Sequence, residues 1–326
     1  MPDTMVDTEA IKSAVQLACR APSLHNSQPW RWVADGASLK LFVNRDRVVH
    51  STDRSGREAI ISCGVVLDHL RVAIAAAGWK ANVERFPNPN NLDHLATVDF
   101  SPMDFVTDAH RGRSDAILSR RTDRLPFASP PDWESFEPIL RADAGDSTVQ
   151  LDVIAEEARP ELAEASLLTE SLRLYDSSYH AELDWWTAPF ETIDGIPHSS
   201  LVSAAESERV DIGRTFPVTR HSERRAGIDV DRSKVLVLST AGDTRQEALA
   251  CGEVLSAVLL DATLAGMATC PLTHMTELAA SRNVIAALTG RNARPQALVR
   301  VGVAPILEEL PPPTPRRPLD DVLRFE

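Results

Sequence analysis

The sequence predicts an α+β protein made of two related halves, with one long insertion in the second half. A chain of 326 residues is longer than one typical domain, which favours two domains or two fused units. A helix-like segment with the same residue pattern occurs once in each half, and a candidate strand precedes each copy. These observations predict a duplicated unit of strands and helices.

The duplication is visible as identities at one constant spacing. The matching positions, each pair 188 residues apart (251 minus 63), are Cys63/Cys251, Gly64/Gly252, Val66/Val254, Leu67/Leu255, Ala77/Ala265 and Gly78/Gly266. The apolar residues of the second segment recur at helical period, and Gly78 and Gly266 lie where a helix should end. Strand candidates precede the segments at 39–43 and 235–238. The alternative is that two alanine-rich buried helices agree by chance.

The predicted halves are residues 1–110 and 111–326, and the second carries an insertion at about 160–230 without a counterpart in the first. The insertion begins as a helix predicted over 162–179 and continues through Trp185 and Trp186 towards Phe190. One interpretation is that the insertion is an ordinary surface segment without a binding role. Long insertions in compact domains are usually binding loops or lids, and adjacent tryptophans favour a lid over a flat cofactor.

Composition and charge exclude several classes of protein. The chain is 43% hydrophobic and 25% charged, as in ordinary globular proteins. A net charge of −13 argues against a nucleic-acid surface, which needs a basic face. No apolar run reaches membrane-spanning length, and the acidic N-terminus does not resemble a signal peptide. We therefore expect a cytoplasmic protein without membrane or nucleic-acid partners. The cysteines show no metal-ligand spacing, so we expect reduced thiols and no metal site.

A polar loop follows the predicted N-terminal helix 8–19 and leads into an extended segment at 30–33. Its prolines and small polar residues are typical of a rigid turn. Ser23, Asn26 and Gln28 offer hydrogen-bond donors and acceptors without charge, which suits a flat heterocycle with carbonyls and ring nitrogens. The alternative is a plain polar connection between helix and strand.

A second motif contains Arg120, Arg121 and Arg124 with Thr122 between them. It follows a segment predicted to be helical. Arginine forks match phosphate oxygens in two-point fashion, and a neighbouring hydroxyl completes a phosphate site. A solvated basic turn is the alternative.

Both motifs resemble signatures of the nitroreductase superfamily of FMN flavoproteins. The loop is similar to A-P-S-x-x-N-x-Q-P-W, and the arginine segment to R-R-S-x-R-x-F, with Thr122 in place of serine and Phe127 three rather than two residues after Arg124. Fused halves and the inserted segment look most like the mycobacterial Acg-type group. The resemblance implies a nitroreductase-like fold, in which each half has a mixed or antiparallel sheet flanked by helices.

The resemblance also implies which residues contact FMN. Residues 269–272 match the region beside the isoalloxazine edge. Arg316, with Arg317 as its substitute, matches a C-terminal R-x-P-L stretch that returns to the phosphate. The implied cofactor-binding residues are Pro22, Ser23, Asn26, Gln28, Arg120, Arg121, Thr122, Arg124, Thr269, Cys270, Pro271, Leu272, Arg316 and Arg317.

The distribution of the motifs predicts one FMN per chain. The polar loop belongs to the first half and the arginine segment to the second. The corresponding loop of the second half, 144–150, lacks the proline and asparagine, and Asp146 would oppose a phosphate. One composite site is therefore complete, and we expect a single-chain pseudo-dimer that is a monomer or a weak homodimer.

For activity, the resemblance implies hydride transfer from NAD(P)H to FMN and then to a nitroaromatic, quinone or similar small electron acceptor. The flavin supplies this chemistry, so no catalytic residue is assigned. A closed insertion would instead favour a protein that stores or sequesters FMN, and a flavin-free interaction protein is a third hypothesis. His180, His198 and His221 are candidates to line a pocket or are structural; Cys270 is redox-active or a buried filler.

Overall fold

The computed structural model describes residues 6–36, 38–145, 148–188, 193–220, 223–305, 307 and 311–326. The α-helices are α1 Thr8–Ala18, α2 Arg57–Ala76, α3 Asp108–Ser119, α4 Trp133–Asp143, α5 Arg159–Arg173, α6 Ser177–Trp186, α7 Ala204–Glu208, α8 Arg245–Leu264, α9 His274–Glu277, α10 Ala279–Thr289 and α11 Leu319–Val322. The strands are β1 Trp30–Asp35, β2 Ser38–Val43, β3 Trp79–Arg85, β4 His94–Pro102, β5 Gln150–Val153, β6 Lys234–Thr240, β7 Ala268–Leu272, β8 Arg294–Gly302 and β9 Leu323–Phe325.

The strands form two sheets that repeat one topology. The first has the order β3-β4-β2-β1-β9 and the second β7-β8-β6-β5. Within β1 to β4 and β5 to β8 every neighbouring pair is antiparallel. In both halves a helix precedes the first strand, and a long helix, α2 or α8, separates the second strand from the third. The α+β class agrees with the sequence prediction.

The two long helices cross at the paired glycines. A Cβ on Gly64 would lie 2.8 Å from Gly252 Cα and closer still to the carbonyl oxygen of Leu249. A Cβ on Gly252 would lie 2.7 Å from Gly64 Cα and would collide with the carbonyl oxygen of Ile61. Glycine is therefore required at both positions, because only a missing side chain permits this backbone approach. The crossing joins the halves into one apolar core.

Glycine also ends both helices as predicted. Gly78 and Gly266 follow the C-caps of α2 and α8 with φ of 89° and 72°. This left-handed region is reached readily only by glycine. At its other end α8 begins with a capping box, in which Thr244 Oγ1 accepts from the Glu247 N–H and the Glu247 carboxylate accepts from the Thr244 N–H.

The insertion replaces the connection between the first two strands of the second half. In the first half residues 36 and 37 separate β1 from β2, whereas residues 154–233 separate β5 from β6. The single helix expected over 162–179 is wrong: α5 ends at Arg173 and α6 begins after Asp176. The Asp176 carboxylate accepts from the Tyr179 N–H, so a side-chain cap starts a new helix there.

The C-terminal segment also differs from expectation. The sequence prediction places it in the second half, 111–326. In the structure α11 ends at Val322, and Leu323 to Phe325 form β9, parallel to Trp32–Ala34 of the first sheet. The chain therefore returns to the first half and carries residues 311–318 past the polar loop.

Among the described helices, α2 is long and apolar enough to cross a membrane by length and composition. However, 83% of its apolar window is buried inside the protein. It packs against α1, α3 and α8. Its apolar character follows from its place in the core.

Candidate functional site

The polar loop after α1 has a strained backbone. His25, Asn26 and Gln28 have φ of 50°, 58° and 50°, values that non-glycine residues seldom adopt. Ser23 Oγ accepts from the Gln28 N–H at 2.9 Å, and Ser62 Oγ of α2 accepts from the Leu24 N–H at 3.3 Å. Strain of this kind persists where the surroundings over-determine the conformation and concentrates at functional sites.

This loop and the segment after α3 enclose a small cavity of about 50 Å³, named here the arginine cavity. Its lining residues are Arg20, Pro22, Ser23, Asn26, Arg120, Arg121, Thr122, Arg124, Ile196, Pro197, Ser200, Thr314 and Arg316. No carboxylate is among these described lining residues. Asn26 of the first half and Arg121 of the second therefore face one common space, which an anion would fill.

Arg120 is the buried cation of the arginine cavity. The residue is 6% exposed, and its Nε and Nη1 have no hydrogen-bond partner in the part of the chain that the structure describes. Burial, with the like charges of Arg121 and Arg20, lowers the pKa of Arg120 to about 10. A buried guanidinium without partners is costly, and a phosphate accepting from Nε and Nη1 would remove that cost.

Arg316 fixes the wall of the arginine cavity. Its Nε donates to Cys19 O at 2.9 Å and its Nη2 to Arg20 O at 2.9 Å, so it binds the carbonyls at the end of α1. Burial, followed by the charges of Arg20, Arg120 and Arg121, lowers the pKa of Arg316 to about 9. Arg121 likewise binds the end of α3, donating from Nη1 to Leu118 O at 2.7 Å. Concentrated positive charge at two helix ends makes this cavity suited to a dianion.

A larger cavity of about 270 Å³, the main cavity, shares part of its wall with the arginine cavity. The shared residues are Pro22, Ser23, Thr122, Arg124 and Ile196. The rest of the wall includes Ile61 and Val65 of α2 and Leu272 of β7. On the opposite side lie insertion residues such as Arg214 and Phe216. Together the two spaces reach the lower end of the usual range for small-molecule pockets, roughly 300–1,000 Å³.

Three buried titratable side chains with unpartnered atoms line the main cavity: His25, Glu58 and His274. Within the described residues, neither ring nitrogen of His25, nor Glu58 Oε2, nor His274 Nδ1 has a hydrogen-bond partner. Burial lowers the pKa of both histidines well below their ordinary value, which keeps them neutral. His274 Nε2 lies 2.9 Å from Ser166 Oγ. The main cavity thus presents polar groups able to bind a heterocycle or its reaction partner.

Most of the predicted cofactor residues come together. Those that line the two cavities are Pro22, Ser23, Asn26, Arg120, Arg121, Thr122, Arg124, Cys270, Pro271, Leu272 and Arg316. Segments more than 100 residues apart in the chain meet here. A parallel bridge between Thr122 and Thr269 brings the arginine segment beside β7.

Gln28, Arg317 and Thr269 are not among the described residues lining these cavities. Gln28 is fully buried, its Nε2 donates to Ile193 O at 2.9 Å, and its Oε1 accepts from the Arg317 N–H at 2.9 Å. The Gln28 amide thus joins the loop, the insertion and the C-terminal segment. Direct contact of Gln28 and Arg317 with FMN stays a prediction. Thr269 is 1% exposed and lies behind the cavity wall.

Sequence reasoning missed several lining residues. Arg20 lies between the predicted helix and the polar loop, so its position in the sequence could have identified it as a further phosphate-binding candidate. Glu58, Arg214 and His274 lie in no recognised motif, and folding alone brings them together.

The aromatic group of the insertion that lines the main cavity is Phe216. It lies edge-on to His25 at 6.1 Å and 5.0 Å from the Arg124 guanidinium. The tryptophans proposed as a cover line none of the cavities described here: Trp185 is 64% exposed and packs against Trp186. Phe190 lies outside the described residues.

The histidines and the cysteine that the sequence offered as further site candidates have ordinary structural surroundings where the structure describes them. His180 packs against Tyr179 and His198 bonds to Thr187 O, and neither lines the cavities described here. His221 lies outside the described residues. Cys270 is buried, and burial raises the pKa of its thiol. Among the described residues there is no cluster of three or more potential metal ligands.

The equivalent position in the second copy of the repeat holds an ion pair. Val65 lines the main cavity, and the residue 188 positions later is Glu253. Its carboxylate accepts from Arg85 Nε at 2.7 Å and Nη2 at 2.6 Å. A carboxylate paired with arginine there, in place of the apolar Val65, disfavours a flavin ring in the equivalent space. Asp146, predicted to oppose a phosphate, lies outside the described residues.

Two sheets of one topology, crossed central helices and a phosphate-sized arginine cavity beside a ring-sized space define a nitroreductase-type fold. A Mycobacterium tuberculosis protein named "Putative NAD(P)H nitroreductase acg" is 68% identical over 99% of this chain and 97% of its own length. A second relative from the same species, similarly named, is 37% identical over 98% of this chain and 92% of its own. The chain belongs to the nitroreductase superfamily and to its Acg-type group.

One solved structure supports the fold. The crystal structure of a "putative nitroreductase" from Anabaena variabilis matches with a TM-score of 0.51 at 8% identity, covering 90% of this chain and 73% of that one. Identity this low shows the fold alone. No protein-family model matches the chain.

Proposed function

We propose that the protein is an FMN-dependent oxidoreductase that takes electrons from NAD(P)H and delivers them to nitro or quinone-type acceptors in the cytoplasm. It binds one FMN per chain, with the phosphate in the arginine cavity and the ring in the main cavity. The observation that carries the proposal is the buried guanidinium of Arg120, whose Nε and Nη1 have no hydrogen-bond partner among the described residues. It lies beside a ring-sized space that shares the Pro22–Ser23 wall. The names of the relatives supply the nicotinamide donor.

The residues fit the cofactor by charge and by hydrogen-bonding capacity. Arg20, Arg120 and Arg121 would hold the phosphate dianion. Asn26 Oδ1 is buried with no partner among the described residues and can accept from a ribityl hydroxyl. Bound FMN would supply two-electron transfer, while the protein orients the ring and excludes water.

The insertion supports a second candidate function, storage or sequestration of FMN. The contacts that hold it against the first half include Asn26 Nδ2 to Gly195 O at 3.0 Å, Gln28 Nε2 to Ile193 O, and Arg47 to Asp194 at 2.6 Å. A lid anchored at the ring-binding loop would limit access by NAD(P)H. We place this lid at about 160–230, within the second of two halves that divide near residue 110.

Absorbance and rapid-mixing measurements separate these functions. We expect purified protein supplied with FMN to be yellow and to release one flavin per chain. Mixed with NADPH in a stopped-flow instrument, an oxidoreductase bleaches rapidly. Reduction by dithionite alone would instead support sequestration. A protein that stays colourless with added FMN contradicts both.

Glu182 gives a test of the lid. Its carboxylate accepts from the Ser51 N–H at 2.8 Å and the Thr52 N–H at 2.9 Å, joining α6 to the first half. We expect Glu182→Ala to speed FMN dissociation at least roughly tenfold, because each charge-assisted hydrogen bond that holds the lid contributes about 1.5–3 kcal/mol. Glu161→Ala, an exposed position in the same insertion, is the control. Equal dissociation rates in the two variants would contradict a lid role for α6.

A further inference from the structure

Glu58 lies between two cavities. One is the main cavity. The other, the polar cavity, has a volume of about 630 Å³ and charged lining residues that include Arg57, Arg173 and Glu277. Among the described lining residues of both spaces, Glu58 alone is common to the two. A carboxyl group placed in this way can exchange protons with either side.

The two oxygens of Glu58 have different surroundings. Oε1 accepts from Arg57 Nη2 at 2.7 Å. Oε2 is buried and has no partner in the described part of the chain. The residue as a whole is 2% exposed, so water does not replace the missing partner. One oxygen is thus fixed by the protein, and the other is a buried acceptor without a described partner in a residue that lines the main cavity.

Charged groups face Glu58 from four segments: Arg57 on its own helix, Asp53 in the preceding turn, Glu277 on α9 and Arg214 in the insertion. Burial raises the pKa of Glu58 well above its ordinary range, and the charge of Glu277 raises it further. Arg57 and Arg214 oppose this shift. Desolvation is the largest contribution, so this carboxyl holds a proton more readily than a carboxyl in water does.

We propose that Glu58 delivers the proton that the electron acceptor takes up in the main cavity, and recovers it from water in the polar cavity. The inference rests on the proposed function, since reduction of a quinone by a hydride leaves an oxyanion that needs one proton. The O–H bond at Glu58 Oε2 breaks, its electron pair stays on the carboxylate, and a new O–H bond forms on the acceptor. The hydride comes from flavin reduced by NAD(P)H.

The polar cavity can resupply the proton. Arg54, whose side chain is 76% exposed, lies on its wall, so the cavity opens to solvent. Water that enters can donate to the Glu58 carboxylate and restore the acid.

Two substitutions at Glu58 and one control test the proposal. Glu58→Gln keeps the shape of the protonated acid but cannot transfer its proton, whereas Glu58→Asp retains an acid. Glutamine is compatible with this helix position, because Gln246 occupies the equivalent site 188 residues later on α8. Glu84→Gln, exposed on β3 and outside the cavities, is the control. Each variant is loaded with FMN, reduced with dithionite and mixed with a water-soluble benzoquinone.

We expect Glu58→Gln to slow reoxidation by the quinone roughly 100-fold in protein that still binds FMN. Glu58→Asp should reoxidise faster than Glu58→Gln but more slowly than the parent. Glu84→Gln should reoxidise at the parent rate. Infrared spectra without quinone should show a protonated-carboxyl band near neutral pH that Glu58→Gln lacks. A yellow Glu58→Gln protein with the parent rate, or a parent without that band, overturns the proposal. A colourless parent removes the proposed function, and this role with it.

Discussion

Replacing Arg120 with methionine is expected to weaken FMN binding and to stabilise the cofactor-free protein. The expected loss is about 1.5–3 kcal/mol, roughly 10- to 150-fold in affinity, because charge-assisted hydrogen bonds to the phosphate disappear. The same substitution should make the cofactor-free protein more stable. In the free protein the guanidinium is buried, and its Nε and Nη1 have no partner among the described residues. An apolar side chain of similar length removes that cost.

Isothermal titration with FMN gives the affinity, and thermal unfolding of the flavin-free protein gives the stability. Riboflavin, which lacks the phosphate, should bind the parent and Arg120→Met equally. The matched control is Arg111→Met on α3, an exposed residue paired with Asp108, which should change neither quantity. Equal FMN affinity in parent and Arg120→Met would remove Arg120 from the phosphate site. If flavin-free Arg120→Met melted at a lower temperature than the flavin-free parent, burial of the Arg120 guanidinium would not be destabilising.

Adding one methyl group at the crossing of the long helices is expected to cost at least about 3 kcal/mol in the free energy of unfolding. A Cβ on Gly64 would collide with the backbone of α8 at Leu249 and Gly252. Backbone cannot rotate away as a side chain can, so α2 and α8 must separate and lose part of the shared core. Overpacking costs of this kind usually fall at about 1–3 kcal/mol and are larger where nothing can relax.

Gly112→Ala on α3 provides a control of the opposite sign. A Cβ there would lie 3.7 Å from Leu264 Cδ2, an ordinary contact. Alanine in place of glycine within a helix stabilises by roughly 0.5–1 kcal/mol. Urea denaturation of Gly64→Ala, Gly252→Ala and Gly112→Ala measures all three. If Gly64→Ala were as stable as the parent, the close crossing would be wrong.

The repeat could be predicted from sequence because the close packing of the two helices requires particular residues at fixed positions. Gly64 and Gly252 meet each other, and Gly78 and Gly266 end their helices with positive φ. Close helix approach and positive φ both require glycine at one particular position. The same glycines therefore occur in both segments at a constant spacing. The same holds for the polar loop, whose strained residues lie within one short segment.

The remaining parts of the site depend on long-range contacts that leave no local pattern. Strand β9 is three residues long and forms only because β1 offers an open edge. Glu58 is an ordinary helix-start glutamate until the fold places a cavity on each side of it. The tryptophan pair was misjudged because adjacency in sequence does not determine which side of a helix faces the site. Trp185 is exposed, and Phe216 lies at the cavity instead.

A crystal structure of the FMN complex tests the central claim most directly. We predict one FMN per chain, with its phosphate bonded to Arg120 and its ring against Pro22 and Ser23. A phosphate bound among the arginines of the polar cavity, or two flavins per chain, would contradict the account.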